Sequence, residues 1–222
     1  MLLLASNSPR RKQLLKLGGW DFDILAAEID ERVLDGERPA DYVRRLAGSK
    51  AQAAALRAPR DAIIVAADTT VVDIRHEQGE IQELILGKPG DAAEAEQMLR
   101  LLRGRVHYVY TAIAVMRASD GSLLQDTCVT DVTMRQYSDE ELQTYIDTGD
   151  PLDKAGAYAI QHAGFHPVAK VNGCYTNVVG LPLCHLARTL HKFGIRLDRD
   201  LPQACMDTFN EECPIFEQLL EE

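Results

Sequence analysis

The sequence predicts an α/β sheet protein, and three observations carry that expectation. Ala62-Ile63-Ile64-Val65-Ala66-Ala67 is an unbroken apolar run of the kind found in a strand covered on both faces. Strand-to-helix units flank it at the N-terminus. Hairpin signals follow it, so parallel and antiparallel pairings are both expected around helices.

Residues 2–5 read as a short buried strand, and Ser6-Asn7-Ser8 turns into a helix with Leu14, Leu15 and Leu17 on its apolar side. Ser8 suits the N-cap and Pro9 the first helical position. A second strand, residues 22–26, precedes a polar loop. Pro39 opens a long helix reaching about residue 56. After the apolar run, residues 69–74 and 81–86 form a hairpin around Gly79, and a helix follows over residues 91–102. Residues 105–116 and 123–134, joined at Ser119-Asp120-Gly121, alternate as a long antiparallel pair. Ser138-Asp139-Glu140-Glu141 is a capping box opening a helix that ends near Gly149. A strand over 167–172 and a helix over about 182–193 complete the organised part. Residues 1–196 are taken as one domain. Residues 197–222, with Pro202, Pro214 and an acidic end, are taken as a weakly specified C-terminal extension.

The 222 residues are 46% hydrophobic and 26% charged, enough for a sizeable core. With 24 Lys and Arg against 34 Asp and Glu, the net charge of -10 disfavours nucleic acid as a partner. Five cysteines, an odd number without a C-x-x-C pair, point to reduced thiols rather than a disulfide framework or zinc ribbon. Arg10-Arg11-Lys12 interrupt the N-terminus where a signal peptide would still be apolar, and no stretch reaches the ~20 apolar residues of a membrane span. The expected location is the cytoplasm.

Chemistry concentrates in four places. Ser6, Ser8, Arg10 and Arg11 lie at a strand-to-helix junction, where cations oppose the helix dipole by roughly 0.3 to 1 kcal/mol. A phosphate held by backbone N–H groups, hydroxyls and guanidinium groups explains them, as does pairing with the many carboxylates. Asp68 follows the apolar strand, so its carboxylate is expected at the strand's carboxyl end, as a Mg²⁺ ligand, as a base, or as an Asx turn into Thr69. Lys50 falls in the long helix and Lys88 in Gly87-Lys88-Pro89. The latter is no Walker A loop, since Pro89 replaces the Ser or Thr. With Arg10 and Arg11 these lysines match the roughly four negative charges of a triphosphate. The segment Asp150 to Gln161 surrounds a few polar residues with small ones, as close approach to a ligand or a tight turn between a helix and the sheet would equally require, and Gln161 has the donor and acceptor to read a base edge or to face solvent. His162 and His166 have the i,i+4 spacing of a metal pair, but Gly164 and Pro167 break the helix that such a pair requires. G-x-S-x-G, H-E-x-x-H and G-x-G-x-x-G are absent, which takes most of the support from serine hydrolase, zinc protease and Rossmann oxidoreductase readings.

Six ordered blocks resemble the Maf family of nucleotide pyrophosphatases: Leu4-Ala5-Ser6-Asn7-Ser8-Pro9-Arg10-Arg11, Ile29-Asp30-Glu31, Ala66-Ala67-Asp68-Thr69, Leu86-Gly87-Lys88-Pro89, Leu152-Asp153-Lys154-Ala155-Gly156-Ala157-Tyr158 and Asn177-Val178-Val179-Gly180-Leu181-Pro182. The resemblance implies an elongated mixed-sheet fold similar to inosine triphosphate pyrophosphatases, with two lobes around a cleft. It also implies a Mg²⁺- or Mn²⁺-dependent homodimer that hydrolyses a nucleoside triphosphate to the monophosphate and pyrophosphate. By the same comparison Asp68 is the catalytic carboxylate and proton acceptor, Glu31 a metal-linked acid beside it, and Lys50 and Lys88 phosphate-handling lysines. Ser6, Ser8, Arg10, Arg11, Thr69, Lys154 and Gln161 bind the nucleotide. Members preferring dTTP and UTP carry residues matching Arg10, Thr69 and Gln161, whereas those resembling 7-methyl-GTP pyrophosphatases carry a Trp after the Pro. The competing expectations are a 7-methyl-GTP or other noncanonical-nucleotide hydrolase and a non-enzymatic nucleotide-binding regulator of cell division.

Overall fold

A computed structural model describes residues 1–77, 79–196 and 199–213. Its centre is a seven-stranded mixed sheet in the order β2-β1-β3-β5-β6-β7, with β4 paired to β3. The strands are β1 (Leu2–Leu4), β2 (Asp23–Ile24), β3 (Ile63–Glu77), β4 (Glu80–Leu86), β5 (Val106–Arg117), β6 (Leu123–Met134) and β7 (Val168–Asn172). The helices are α1 (Pro9–Leu17), α2 (Pro39–Ala55), α3 (Ala92–Leu102), α4 (Asp139–Asp147), α5 (Tyr175–Val179), α6 (Leu183–Lys192) and α7 (Leu201–Phe209). Two 3₁₀ turns, Asp150–Asp153 and Ala155–Ala157, follow α4. The expected α/β class and mixed sheet are borne out.

Local chemistry explains the element starts. Ser8 caps α1 by accepting from the Arg11 N–H, with Pro9 in the first turn. Ser138 and Glu141 form the complete capping box of α4, and Asp91 caps α3 through the Glu94 N–H. Tyr42, Val43, Leu46, Ala47, Ala51 and Ala54 make the buried stripe of α2 at helical spacing. They pack on Ile64, Ala66, Ala112 and Ala114 from one sheet face. The opposite face, with Val65, Ala67, Ile113 and Val115, packs on Leu14 and Leu15 of α1 and Leu186 and Leu190 of α6. A third cluster unites α3 and α4 with Val71, Val109 and Val132 at the other end of the sheet. A cleft opens on the sheet between residues of these clusters.

Two readings are corrected here. Residues 63–67 and 69–74 are not separate strands, because β5 pairs without interruption against residues 63–72. Asp68 therefore lies within β3, opposite Ala112, and not at a strand's carboxyl end. The second correction concerns the C-terminal segment, which contains an ordered helix. Asp200 caps α7 through the Gln203 N–H, and Pro202 sits in the first turn, where its missing N–H breaks no helical bond. Leu201, Cys205 and Phe209 pack on the same cluster as α1 and α6, and Tyr175 and Phe209 stack at 4.8 Å. Residues 197, 198 and 214–222 of the expected extension lie outside the described residues.

Candidate active site

The register of β3 creates the site. On one side it pairs with β1 at residues 63–65 and with β4 at residues 71–77. Residues 66–70 lie between, with ladder partners on the β5 side alone. Because β1 runs parallel to β3 and β4 antiparallel, both run toward this open edge. The loops leaving them, Ser6 to Pro9 and Gly87 to Pro89, therefore converge on it. Successive side chains of β3 point to opposite sheet faces, so Asp68 emerges beside α2 and Thr69 beside α1. The resulting cleft, about 760 Å³ in volume, straddles the edge and is of the size that ligand sites usually have.

On the α2 side, Lys50 follows Leu46 by one turn and so points from the buried stripe toward the sheet. Its Nζ donates to Asp68 Oδ1 at 2.6 Å and lies 2.6 Å from Glu31 Oε1. The side chains of Lys50, Asp68 and Glu31 are 11%, 9% and 45% exposed. Burial pushes the Asp68 carboxyl above its usual range against the pull of Lys50 and Arg11. Burial acts on Glu31 in the same direction, but the Lys50 hydrogen bond and charge, with Lys88 and Arg11, bring it below its usual value. The Glu31 loop is tied to α2: Tyr42 Oη donates to the Glu31 carbonyl at 2.9 Å, and Arg45 donates to the Arg32 carbonyl and to Glu37.

On the α1 side, Arg11 Nε donates to the Gly180 carbonyl at 2.9 Å and Nη2 to Thr69 Oγ1 at 3.1 Å. Thr69 Oγ1 lies 2.9 Å from Thr111 Oγ1, and Thr111 donates to the Asn177 carbonyl. Asn177 is itself anchored through Nδ2 to the Val109 carbonyl and Thr130 Oγ1. Thus Arg11 and Thr69 are fixed by a buried relay reaching α5. Burial lowers the Arg11 pKa, with Asp68 opposing.

Every expected site residue lines this cleft: Ser6, Ser8, Arg10, Arg11, Glu31, Lys50, Asp68, Thr69, Lys88, Lys154 and Gln161. Their commitments differ. Ser6 Oγ accepts from the Ser8 N–H and Ser8 Oγ from the Arg11 N–H. Lys154 is buried, and its three N–H groups go to the Asp150 carbonyl, Asp150 Oδ1 and Asp153 Oδ1 at 2.6, 2.8 and 2.6 Å. It braces the turn rather than offering a free ammonium. Arg10 and Lys88 have no hydrogen bond or ion pair among the described residues, so the cleft presents two uncommitted cations beside the carboxylates. No group of three His, Cys, Asp or Glu among the described residues is set to hold a metal ion alone.

Sequence reasoning missed Tyr42, Thr111, Asn177 and Asp150 as supports. Thr111 and Asp150 sit inside ordinary strand and turn patterns, and only the pairing of distant segments gives them partners. The small residues of the Asp150–Gln161 segment were expected to allow close approach to a ligand or a tight turn; at Gly156 the close neighbour is the protein's own sheet. The Gly156 φ is +67°, its N–H donates to the Gly87 carbonyl beside Lys88, and a Cβ there would meet Val71 Cγ2 at 2.8 Å. Gly156→Ala is expected to destabilise by about 2–4 kcal/mol from left-handed strain plus overpacking, read as a lowered urea midpoint. An unchanged midpoint would show that the turn shifts freely.

The family described as Maf-like protein matches residues 1–193 of this chain. A dTTP/UTP pyrophosphatase of Alkaliphilus metalliredigens is 46% identical over 88% of this chain and 98% of its own length. One of Geobacter sulfurreducens is 46% identical over 87% of this chain and 96% of its own. One of Anaeromyxobacter dehalogenans is 46% identical over 90% and 98%. Among solved structures, a nucleoside-triphosphatase (dITP/XTP pyrophosphatase) of Mycobacterium abscessus overlaps 60% of this chain and 72% of its own at 16% identity and a TM-score of 0.35. A HAM1 protein of Coxiella burnetii overlaps 61% and 73% at 17% identity and 0.39.

Proposed function

The chain belongs to the Maf-like family, and from that premise we propose that it hydrolyses dTTP and UTP to the monophosphate and pyrophosphate. The observation that carries this reading is the convergence of Glu31 and Asp68 on one ammonium at the open edge of β3, within a cleft whose other loops present Arg10, Arg11 and Lys88. The names of the relatives supply the substrate class.

The residues fit a divalent cation. Two carboxylate oxygens already converge on a positive charge, and Mg²⁺ is usually held by one or two carboxylates plus substrate phosphates rather than by an all-protein cage. Glu31 and Asp68 would hold Mg²⁺ or Mn²⁺, which when bound neutralises phosphate charge and acidifies a coordinated water. Arg10, Lys88 and the Ser6–Ser8 turn bind the phosphates. Lys50, held between the carboxylates, offsets charge developing beside Asp68, and Lys154 braces the Asp150–Asp153 turn at the rim of the cleft. Asp68 accepts a proton from the water whose oxygen bonds to the α-phosphorus, while the bond from that phosphorus to the bridging oxygen breaks and pyrophosphate leaves. Thr69, on the α1 side, and Gln161, also lining the cleft, select the pyrimidine.

A panel of dTTP, UTP, CTP and 7-methyl-GTP with Mg²⁺ or Mn²⁺ tests the proposal. Pyrophosphate from dTTP and UTP is the expected result. Release mainly from 7-methyl-GTP would overturn the specificity residues, and tight nucleotide binding without turnover would favour a regulator. Tyr42→Phe is expected to cost about 1 kcal/mol of stability and to raise the half-saturating divalent-cation concentration several-fold, because the Glu31 loop loses its tie. Equal cation dependence in the two proteins would show that the loop is held by Arg45 alone. The proposed assembly is a cytoplasmic homodimer, checked by light scattering on the purified chain. No helix among the described residues is long and apolar enough to cross a membrane.

A further inference from the structure

The hydrogen-bonded chain on the α1 side ends in two groups that can each play one part only. A guanidinium donates and cannot accept, and a backbone carbonyl accepts and cannot donate. Arg11 Nη2 donates to Thr69 Oγ1 at 3.1 Å, and Thr111 Oγ1 donates to the Asn177 carbonyl at 3.1 Å. Between these ends the two threonine oxygens lie 2.9 Å apart. Thr111 and Asn177 are fully buried, so leaving that carbonyl unpaired would cost its desolvation. Thr111 has one proton and spends it there. The proton between the two threonines is therefore that of Thr69.

The carbonyl is available to Thr111 because α5 stops short. In a continued helix the Leu181 N–H would bond the Asn177 carbonyl. At Gly180, whose φ is +120°, the chain turns away, and the Leu181 N–H bonds the Thr176 carbonyl at 2.9 Å instead. Asn177 is held in place by its Nδ2, which donates to the Val109 carbonyl and to Thr130 Oγ1. The end of α5 thus sets the direction of every hydrogen bond back to Arg11.

The consequence falls on Thr69, which lines the cleft. A hydroxyl has one proton and two lone pairs. Thr111 takes the proton and Arg11 one lone pair, so a ligand in the cleft finds only an acceptor. A phosphate oxygen cannot bond to it, whereas an N–H can. Gln161 also lines the cleft but is exposed, and its amide can turn to present either oxygen or nitrogen. Fixed polarity on this side resides in Thr69. Uracil and thymine carry a hydrogen on N3, and cytosine carries a lone pair there.

We propose that Thr111 is a positioning residue for base selection: by holding Thr69 as an acceptor, it admits the N3–H of uracil or thymine and sets lone pair against lone pair when the base is cytosine. The inference rests on the proposed pyrophosphatase function and adds the polarity by which that site chooses its base. Thr111 itself does not line the cleft and acts only through Thr69.

The test measures kcat/KM for UTP and CTP, as pyrophosphate release, in wild type, Thr111→Val and Thr111→Ser. In Thr111→Val the Thr69 hydroxyl loses its acceptor and can turn its proton into the cleft. The UTP-to-CTP ratio is expected to fall about tenfold or more, through a gain on CTP. Thr111→Ser keeps the hydroxyl and is expected to keep the ratio. A residue that only supports the fold, or a ribose hydroxyl rather than the base against Thr69, would change both substrates alike; an unchanged ratio in Thr111→Val overturns the inference. A second measurement needs no variant. Fluorine makes the N3–H of 5-fluoro-UTP more acidic than that of UTP, so wild-type kcat/KM should fall at a lower pH for 5-fluoro-UTP as N3 loses its hydrogen. Coincident alkaline limbs overturn the inference even if Thr111→Val does not fold. No pyrophosphate from UTP with wild type overturns the proposed function and this inference together, whereas release from UTP with an unchanged ratio overturns this inference alone.

Discussion

Asp68→Asn is expected to reduce kcat about 10³-fold, within the 10²–10⁴ contributed by a positioned acid or base, while the folded protein melts within a few degrees of wild type. Asn keeps the shape of the side chain but cannot accept the proton. Stability is largely spared because burial already disfavours the charged Asp68. The sign of the pH dependence follows from that raised pKa. In stability, the contribution of Asp68 is fully present below its ordinary 3.8 and lost as pH rises through its higher folded value. In activity, the ionised base is required, so turnover of the wild type should rise through a limb lying above 3.8. Glu31 has the opposite sign: its contribution is present above 4.5 and lost as pH falls through its depressed folded value. The check is pyrophosphate release against pH for both proteins, with thermal melts alongside. Near wild-type turnover by the Asp68→Asn variant would remove Asp68 from the proton-accepting role.

Lys50→Met should be the more damaging change to the fold. Removing one partner of a buried ion pair costs about 3–5 kcal/mol, and the half-exposure of Glu31 reduces this to about 2–3 here. At about 2–4 °C per kcal/mol for a domain of this size, the melting midpoint should fall by roughly 5–10 °C. Two carboxylates would then face each other without a cation. Both acid, which protonates Asp68, and added Mg²⁺ or Mn²⁺, which replaces the lost charge, should restore more stability to the variant than to wild type. Turnover should fall about 10²-fold or more, as when one charge-stabilising donor is lost from an active site. A variant that melts like wild type but is inactive would mean that Asp68 carries a proton in the resting protein. Equal stabilisation of both proteins by the divalent cation would place the cation elsewhere.

Much of the scaffold was legible because its signals are local. Ser8-Pro9 and the Ser138–Glu141 box cap their helices as the sequence indicates, each through a bond spanning three residues. The span of β6 was read to the residue, its start being marked by the Ser119-Asp120-Gly121 turn. Where local signals misled, the reason is equally specific. Asp68-Thr69-Thr70 reads as a break because Asp is depleted in strands, yet β5 continues past it, so the pairing overrides the preference. Pro202 reads as a terminator until its position in the first turn of α7 is known. Lys154 reads as a free cation, and only the fold shows Asp150 and Asp153 using all its donors.

By itself the sequence determined the order and kind of the elements, their caps, and the chemical inventory of the site: two carboxylates, serines, and more basic groups than a solvated face needs. These depend on residues within about one turn or one strand pair of each other. The tertiary structure alone decided that β1 and β4 flank β3 without meeting, leaving residues 66–70 open at one edge. It alone turned Asp68 toward Lys50 on one face and Thr69 toward Arg11 on the other. Such contacts join residues as far apart as Arg11 and Gly180, 169 positions along the chain. Closing a loop of that length costs entropy that no local preference offsets; the energy comes from burying three apolar clusters at once, and no short stretch of sequence contains it.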